Sequence, residues 1–164
     1  MDHLWTPWRY PYIAALSKPD GCVFCRMWDE ARDQESFILL RKANSFVVLN
    51  KYPYTSGHLM VVARRHIPTL IEATESELME LIDNARDFEK ALEAVYHPDG
   101  FNIGFNLGKS AGAGVAGHLH LHVVPRWQGD SNFVSVLGET RIIPEELTTT
   151  YHKLRDYLDA QQGA

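Results

Sequence analysis

The chain has 164 residues, 45% hydrophobic and 23% charged, a balance that fits one globular domain with its own core. Sixteen basic against 21 acidic side chains leave a net charge of -5, whereas sequence-independent grip on nucleic acid needs many phosphate-neutralising cations. No apolar stretch approaches the roughly 18 residues of a membrane helix, and Met1-Asp2-His3-Leu4-Trp5 lacks the basic and apolar segments of an export signal. The expectation is a single-domain, soluble, cytoplasmic protein over residues 1–164, with neither a nucleic-acid nor a membrane partner.

In chain order, residues 1–20 form an aromatic arm with Trp5, Trp8, Tyr10 and Tyr12, too apolar to float and expected to pack on the body or on a second copy. Cys22-Val23-Phe24-Cys25 reads as a tight knuckle, and two cysteines allow no disulfide framework. Phe37–Leu40, Phe46–Leu49 and His58–Ala63 are short runs rich in Val, Ile, Leu and Phe, broken by Asn44-Ser45 and by Pro53–Gly57; they predict antiparallel strands. The period then changes. Thr74 with Glu77 is a capping-box signature, and Leu78, Leu81, Ile82, Ala85, Phe88, Leu92 and Val95 form one apolar stripe on a long helix. His97-Pro98-Asp99-Gly100 ends it. Phe101–Leu107 predicts a strand, Gly108–Gly117 a glycine-rich loop and His118–Pro125 another strand. The tail, residues 140–164, turns helical from about Pro144, a residue suited to a first turn. The fold class is α+β: an antiparallel sheet with a long helix inserted between strands and a C-terminal helix.

Chemistry concentrates in Gly117-His118-Leu119-His120-Leu121-His122-Val123-Val124-Pro125. Alternate side chains of a strand share a face, so His118, His120 and His122 line one side while Leu119, Leu121 and Val123 point to the core. The bland alternative is a half-polar sheet carrying semi-exposed histidines. Two chemistries use such a row: several imidazoles holding a divalent metal, or one imidazole attacking phosphorus while its neighbours orient it. The loop Gly108-Lys109-Ser110-Ala111-Gly112-Ala113-Gly114 favours phosphate, because small residues let backbone N–H groups approach an anion. Asn50 and His58 flank a Pro/Gly connection, where asparagine is also a common turn residue, and Lys109 is equally a solvated loop charge. His3, His97 and His152 read as surface or capping residues.

His118-Leu119-His120-Leu121-His122-Val123-Val124 resembles the signature of the histidine-triad nucleotide hydrolases and transferases, and the resemblance extends through Asn50, Gly57-His58, Arg65-His66 and Phe101–Gly108. The arm Trp5-Thr6-Pro7-Trp8-Arg9 and the stretch from Pro125 to Phe133 look like the bacterial branch near dinucleoside-tetraphosphate phosphorylases and fragile-histidine-triad hydrolases. The resemblance implies cleavage of dinucleoside polyphosphates at the α-phosphate, with His120 as the nucleophile forming a nucleotidyl-histidine. It implies that His122 and His58 contact phosphate oxygens, that Asn50 contacts ribose, and that Asn106 contacts the phosphate or bridging oxygen. Lys109, Ser110 and Gly114 are the loop candidates for phosphate binding. No catalytic metal is implied; a homodimer is. Where many members carry Gln or Ser four residues before the first triad histidine, this chain has Gly114, which leaves hydrolysis, phosphorolysis and phosphoramidase activity open. A nucleotide-binding module without catalysis and a metallohydrolase are the competing classes.

The C-x-x-C knuckle suits tetrahedral zinc, a redox dithiol or a pair of unligated cysteines. A redox pair is expected at the N-terminus of a helix that follows a strand, a context not found in this sequence. The resemblance implies a structural zinc with Cys22, Cys25, His66 and His118 as a closed ligand set, pinning the triad strand to the N-terminal arm.

Overall fold

The computed structural model describes residues 21–130 and 145–163. The aromatic arm with His3, and Pro144, lie outside the described residues. Among those described, five strands form one antiparallel sheet: β1 (Ile38–Arg41), β2 (Ser45–Leu49), β3 (Leu59–Ala63), β4 (Gly100–Phe105) and β5 (His120–Arg126), in the order β1-β2-β3-β5-β4. Helices α1 (Val23–Glu30) and the short α2 (Asp33–Ser36) precede the sheet. The long α3 (Glu75–Tyr96) is inserted between β3 and β4, and α4 (Leu147–Gln162) closes the described chain. This is the expected α+β architecture. Among the described residues no helix is long and apolar enough to cross a membrane.

The period of two along each strand divides the core. Val47, Leu49, Leu59, Val61, Leu121 and Val123 face α3 and α4, meeting Leu81, Phe88, Leu92 and Leu154. The opposite faces, Ile38, Phe46, Val48, Met60 and Val62, pack under α1 through Phe24. Strands β2 and β3 are therefore buried on both sides. The triad strand inherits the same alternation: its leucines and Val123 enter the larger core, and its histidines turn toward the α1 side.

Helix α3 begins where the sequence places it. The Thr74 hydroxyl accepts from the Glu77 N–H at 3.3 Å, and the Glu77 carboxylate accepts from the Thr74 N–H at 2.8 Å. It ends at His97, which takes the left-handed conformation and is exposed, the capping role expected. The buried face holds Leu81, Ala85, Phe88 and Leu92 together with Asn84 and Ala91, whereas Ile82, assigned to the stripe, is 52% exposed. A straight 3.6-residue repeat drifts away from Ile82 and brings Asn84 inward, where its amide donates to Ser45 Oγ at 2.8 Å.

Two local expectations change. The cysteine knuckle is the start of a helix: Cys22 is the N-cap of α1 and Cys25 its third residue. Eight residues containing Arg26, Asp29 and Glu30 carry too short an apolar period to announce themselves. Regular pairing on β5 starts at His120 rather than His118, because the Leu119 N–H donates to the Ile67 carbonyl at 2.6 Å, beyond the end of β3.

Candidate active site and metal centre

Register builds the histidine group. Met60 pairs with His122 and Val62 with His120 across β3–β5, while Gly104 of β4 lies opposite His122. Among the described residues, a Cβ added at Gly104 would meet nothing within 4 Å, so β4 leaves space beside that imidazole. His58 enters from the residue before β3, where Gly57, at φ +78°, turns the chain into the strand. The His58 and His122 rings approach with Nε2 and Nδ1 3.0 Å apart, and His120 stands 5.0 Å from His122, ring centre to ring centre.

Hydrogen-bond partners fix which nitrogen carries each proton. The Tyr54 backbone N–H can only donate, and it points at His58 Nδ1 at 3.0 Å. In the neutral ring the proton is then on Nε2, which donates to His122 Nδ1; His122 in turn carries its proton on Nε2. His120 Nδ1 donates to the His118 carbonyl at 2.7 Å, leaving the lone pair on Nε2. Burial pushes the His120 imidazole below its ordinary value, and burial followed by the nearby His120 pushes His122 down to about 4. A neutral imidazole with a directed lone pair is a nucleophile; a neutral imidazole presenting N–H beside it is a hydrogen-bond donor to developing negative charge.

Asn50 serves two ends. Its Oδ1 accepts the Tyr52 N–H at 3.0 Å, which is the turn role expected of an asparagine at this place, and its Nδ2 lies 3.4 Å from both His58 ring nitrogens. Asn106 is the residue after β4, whose last pair is Phe105 with Leu121, one position past His120. Lys109 and Ser110 lie in an exposed single turn, and Gly114 is exposed in the same loop; among the described residues no hydrogen bond joins these three to the histidines. Two participants were missed in the sequence. The Tyr54 ring covers His58 at 4.5 Å and stacks on His122 at 6.1 Å, and Phe24 meets His118 at 5.3 Å and His120 at 5.2 Å. An aromatic inside the Pro53–Gly57 turn, and one between the cysteines, were the available signals.

Cys22, Cys25, His66 and His118 converge, their ligand atoms all within 4.8 Å of one another. Cys22 Sγ is 3.2 Å and Cys25 Sγ 3.6 Å from His118 Nδ1, and Cys25 Sγ is 3.4 Å from His66 Nδ1. Ligands of a tetrahedral ion with Zn–N and Zn–S bonds of ordinary length stand roughly 3.3–3.8 Å apart, so these three contacts suit a small tetrahedral cation, in a set that spans up to 4.8 Å. His118 Nε2 donates to the Ala63 carbonyl at 2.6 Å, which turns the Nδ1 lone pair toward the sulfurs. Burial, then the adjacent Cys22, pushes the Cys25 thiol up. A cation that replaces both thiol protons relieves that crowding.

The family model of the HIT domain matches residues 31–129. The chain belongs to the HIT family. Homologues named as phosphorylase and hydrolases make it an enzyme of that family. The chain is 39% identical over 158 residues to the AP-4-A phosphorylase of Mycobacterium tuberculosis, covering 92% of this chain and 80% of that protein. It is 34% identical to the asymmetrical bis(5'-nucleosyl)-tetraphosphatase of Schizosaccharomyces pombe, over 58% of this chain and 52% of that one. Among solved structures, a zinc-bound histidine triad family protein from Mycobacterium smegmatis superposes with a TM-score of 0.71 at 27% identity, covering 87% of this chain and 96% of its own. The HIT match contains the four site histidines and His66, but Cys22 and Cys25 precede it. The cysteine–histidine cluster therefore joins the HIT match to a helix ahead of it.

Proposed function

We propose that this HIT enzyme transfers a nucleotidyl group from a dinucleoside polyphosphate, with His120 as the covalent nucleophile. The carrying observation is the His120 Nδ1–His118 carbonyl bond of 2.7 Å, which leaves Nε2 unprotonated on a ring whose centre is 5.0 Å from that of His122. Nε2 attacks the α-phosphorus, a P–N bond forms, and the P–O bond to the departing nucleoside polyphosphate breaks. The leaving oxygen departs as a polyphosphate anion; His122 Nε2–H donates a hydrogen bond to it as its charge grows, and the 3.0 Å His58 Nε2–His122 Nδ1 contact holds that tautomer. Asn106, Lys109, Ser110 and the backbone around Gly114 bind phosphate oxygens in this reading, while Asn50 binds ribose.

Resolution of the adduct needs a second nucleophile. The likeness to an AP-4-A phosphorylase over 92% of the chain favours inorganic phosphate. Diadenosine tetraphosphate plus phosphate then gives ATP from the first step and ADP from the second. Labelled phosphate tests this: label is expected in ADP, whereas AMP formed without phosphate dependence would make water the acceptor. His120→Ala is expected to lose turnover by at least about a thousandfold while keeping its fold and metal content. An active variant removes the covalent reading.

Cys22, Cys25, His66 and His118 hold zinc in the same proposal, supported by donor set and spacing. With four protein ligands the ion has no open position, so its contribution is structural. His118 serves the metal through its ring and the nucleophile through its carbonyl.

A further inference from the structure

Resting on the proposed zinc site, we infer that Cys22 and Cys25 are also an oxidation site, a zinc–thiolate pair that a peroxide converts to a disulfide with release of the metal. The placement on α1 carries this. Cys22 at the N-cap and Cys25 three residues on occupy the two positions whose side chains converge over a helix start, the relation that a capping box exploits. Their sulfurs belong to a cluster spanning at most 4.8 Å, and both residues are only half-buried, with His66 exposed beside them. Zinc-bound sulfur already has thiolate character, the form that reacts.

The step balances with a peroxide as oxidant. One thiolate attacks a peroxide oxygen, the O–O bond breaks, and a sulfenic acid and hydroxide result. The second thiolate attacks that sulfur, an S–S bond forms, and a second hydroxide leaves. Two electrons pass from sulfur to oxygen, two solvent protons convert the hydroxides to water, and the zinc ion keeps only His66 and His118. Two imidazoles hold it too weakly to retain it. Release reaches the active site by two contacts. The His118 ring loses the ion that fixed it while its carbonyl holds His120 at 2.7 Å, and Phe24, between the cysteines, packs on both rings.

The experiment uses the intact zinc-loaded protein. Hydrogen peroxide is added with a chromophoric zinc chelator too weak to strip the reduced protein, and thiols and intact mass are followed together. The expected result is one zinc released per chain, loss of both thiols in the same time course, a mass lower by two hydrogens, and reversal by dithiothreitol with added zinc. Zinc that stays bound while peroxide consumes the thiols, or thiols that survive, overturns the inference, as does a mass showing only intermolecular links. A reduced protein without zinc would overturn the metal proposal and this inference together. Turnover is not the readout, so nucleotidyl transfer through His120 stands or falls separately.

Discussion

At the scale of single residues, the site is decided by proton placement. One backbone N–H, that of Tyr54, sets His58, which sets His122, while the His118 carbonyl independently sets His120. Neither chain of bonds is visible in the sequence, because the donors and acceptors that begin them are main-chain atoms. The histidines themselves were legible: a strand period of two identified the triad's common face. Asn50 was legible only as an ambiguity, and it proves to make the turn bond as well as face His58. The buried state of His122 gives a direct test. Its value of about 4 lies below the 6.5 of an ordinary imidazole, so between those pH values the unfolded chain binds the extra proton. Its contribution therefore lowers stability as pH falls through that window and leaves stability unchanged above it. Histidine C–H resonances in NMR should show the His122 midpoint near 4. A midpoint near 6.5 would mean that water reaches the ring and that its neutral, donating form is not enforced by the fold.

At the scale of elements, turns and caps place the functional side chains. Gly57 has φ +78°, and a Cβ there would lie 2.9 Å from Leu92 Cδ2 and 3.3 Å from Pro125 Cγ. Gly57→Ala thus combines an unfavourable backbone with a clash against α3 and β5. The expected loss is about 1–3 kcal/mol in urea unfolding, with reduced turnover because His58 is the next residue. An alanine variant of wild-type stability would show that the turn relaxes without cost. At the head of α3, Glu77 closes the capping box and takes Arg65 Nε at 2.6 Å and an Arg65 terminal nitrogen at 2.7 Å. That pair anchors the Arg65-His66 turn to the helix. The Arg65 guanidinium, with the Thr74 groups helping, holds the Glu77 carboxyl at about 2 against the cost of burial. The stabilisation is present above the ordinary carboxylate value, about 4.3, and is lost as pH falls toward 2. Glu77→Gln should cost about 1–3 kcal/mol near neutral pH, and the gap to wild type should narrow in acid. An undiminished gap at pH 2 would assign the loss to packing instead. The box was readable from Thr74 and Glu77; Arg65 as its partner was not, since sequence shows no distance between residues twelve apart.

At the scale of the whole molecule, the fold is an obligatory consequence of hydrophobic period, whereas the site depends on long-range closure. Five strands and two long helices followed from local patterns; the helices α1 and α2, short and charged, escaped, as did single helical turns at Leu70–Glu72 and Lys109–Ala111. The cysteine–histidine cluster is the opposite case: Cys22 and His118 are 96 positions apart, Cys25 and His66 41, and spacing alone left three readings of C-x-x-C open. Arg41 supplies a second tie, donating to the Met27 and Trp28 carbonyls and pairing with Asp33 at 2.8 Å, with its guanidinium over Trp28 at 4.7 Å. Metal removal should therefore loosen α1 without unfolding the sheet. A ligand held a thousandfold above its dissociation constant contributes about 4 kcal/mol to stability, so chelation should lower the melting temperature by several degrees or more. Hydrogen exchange distinguishes where that loss falls. Amides of α1 and around His118 should lose protection on chelation, while β2 and β3, buried on both faces, keep theirs. Equal loss across the sheet would mean that the cluster holds the entire fold. Unchanged exchange in α1 would mean that Arg41 and Phe24 already suffice to hold the helix against His120.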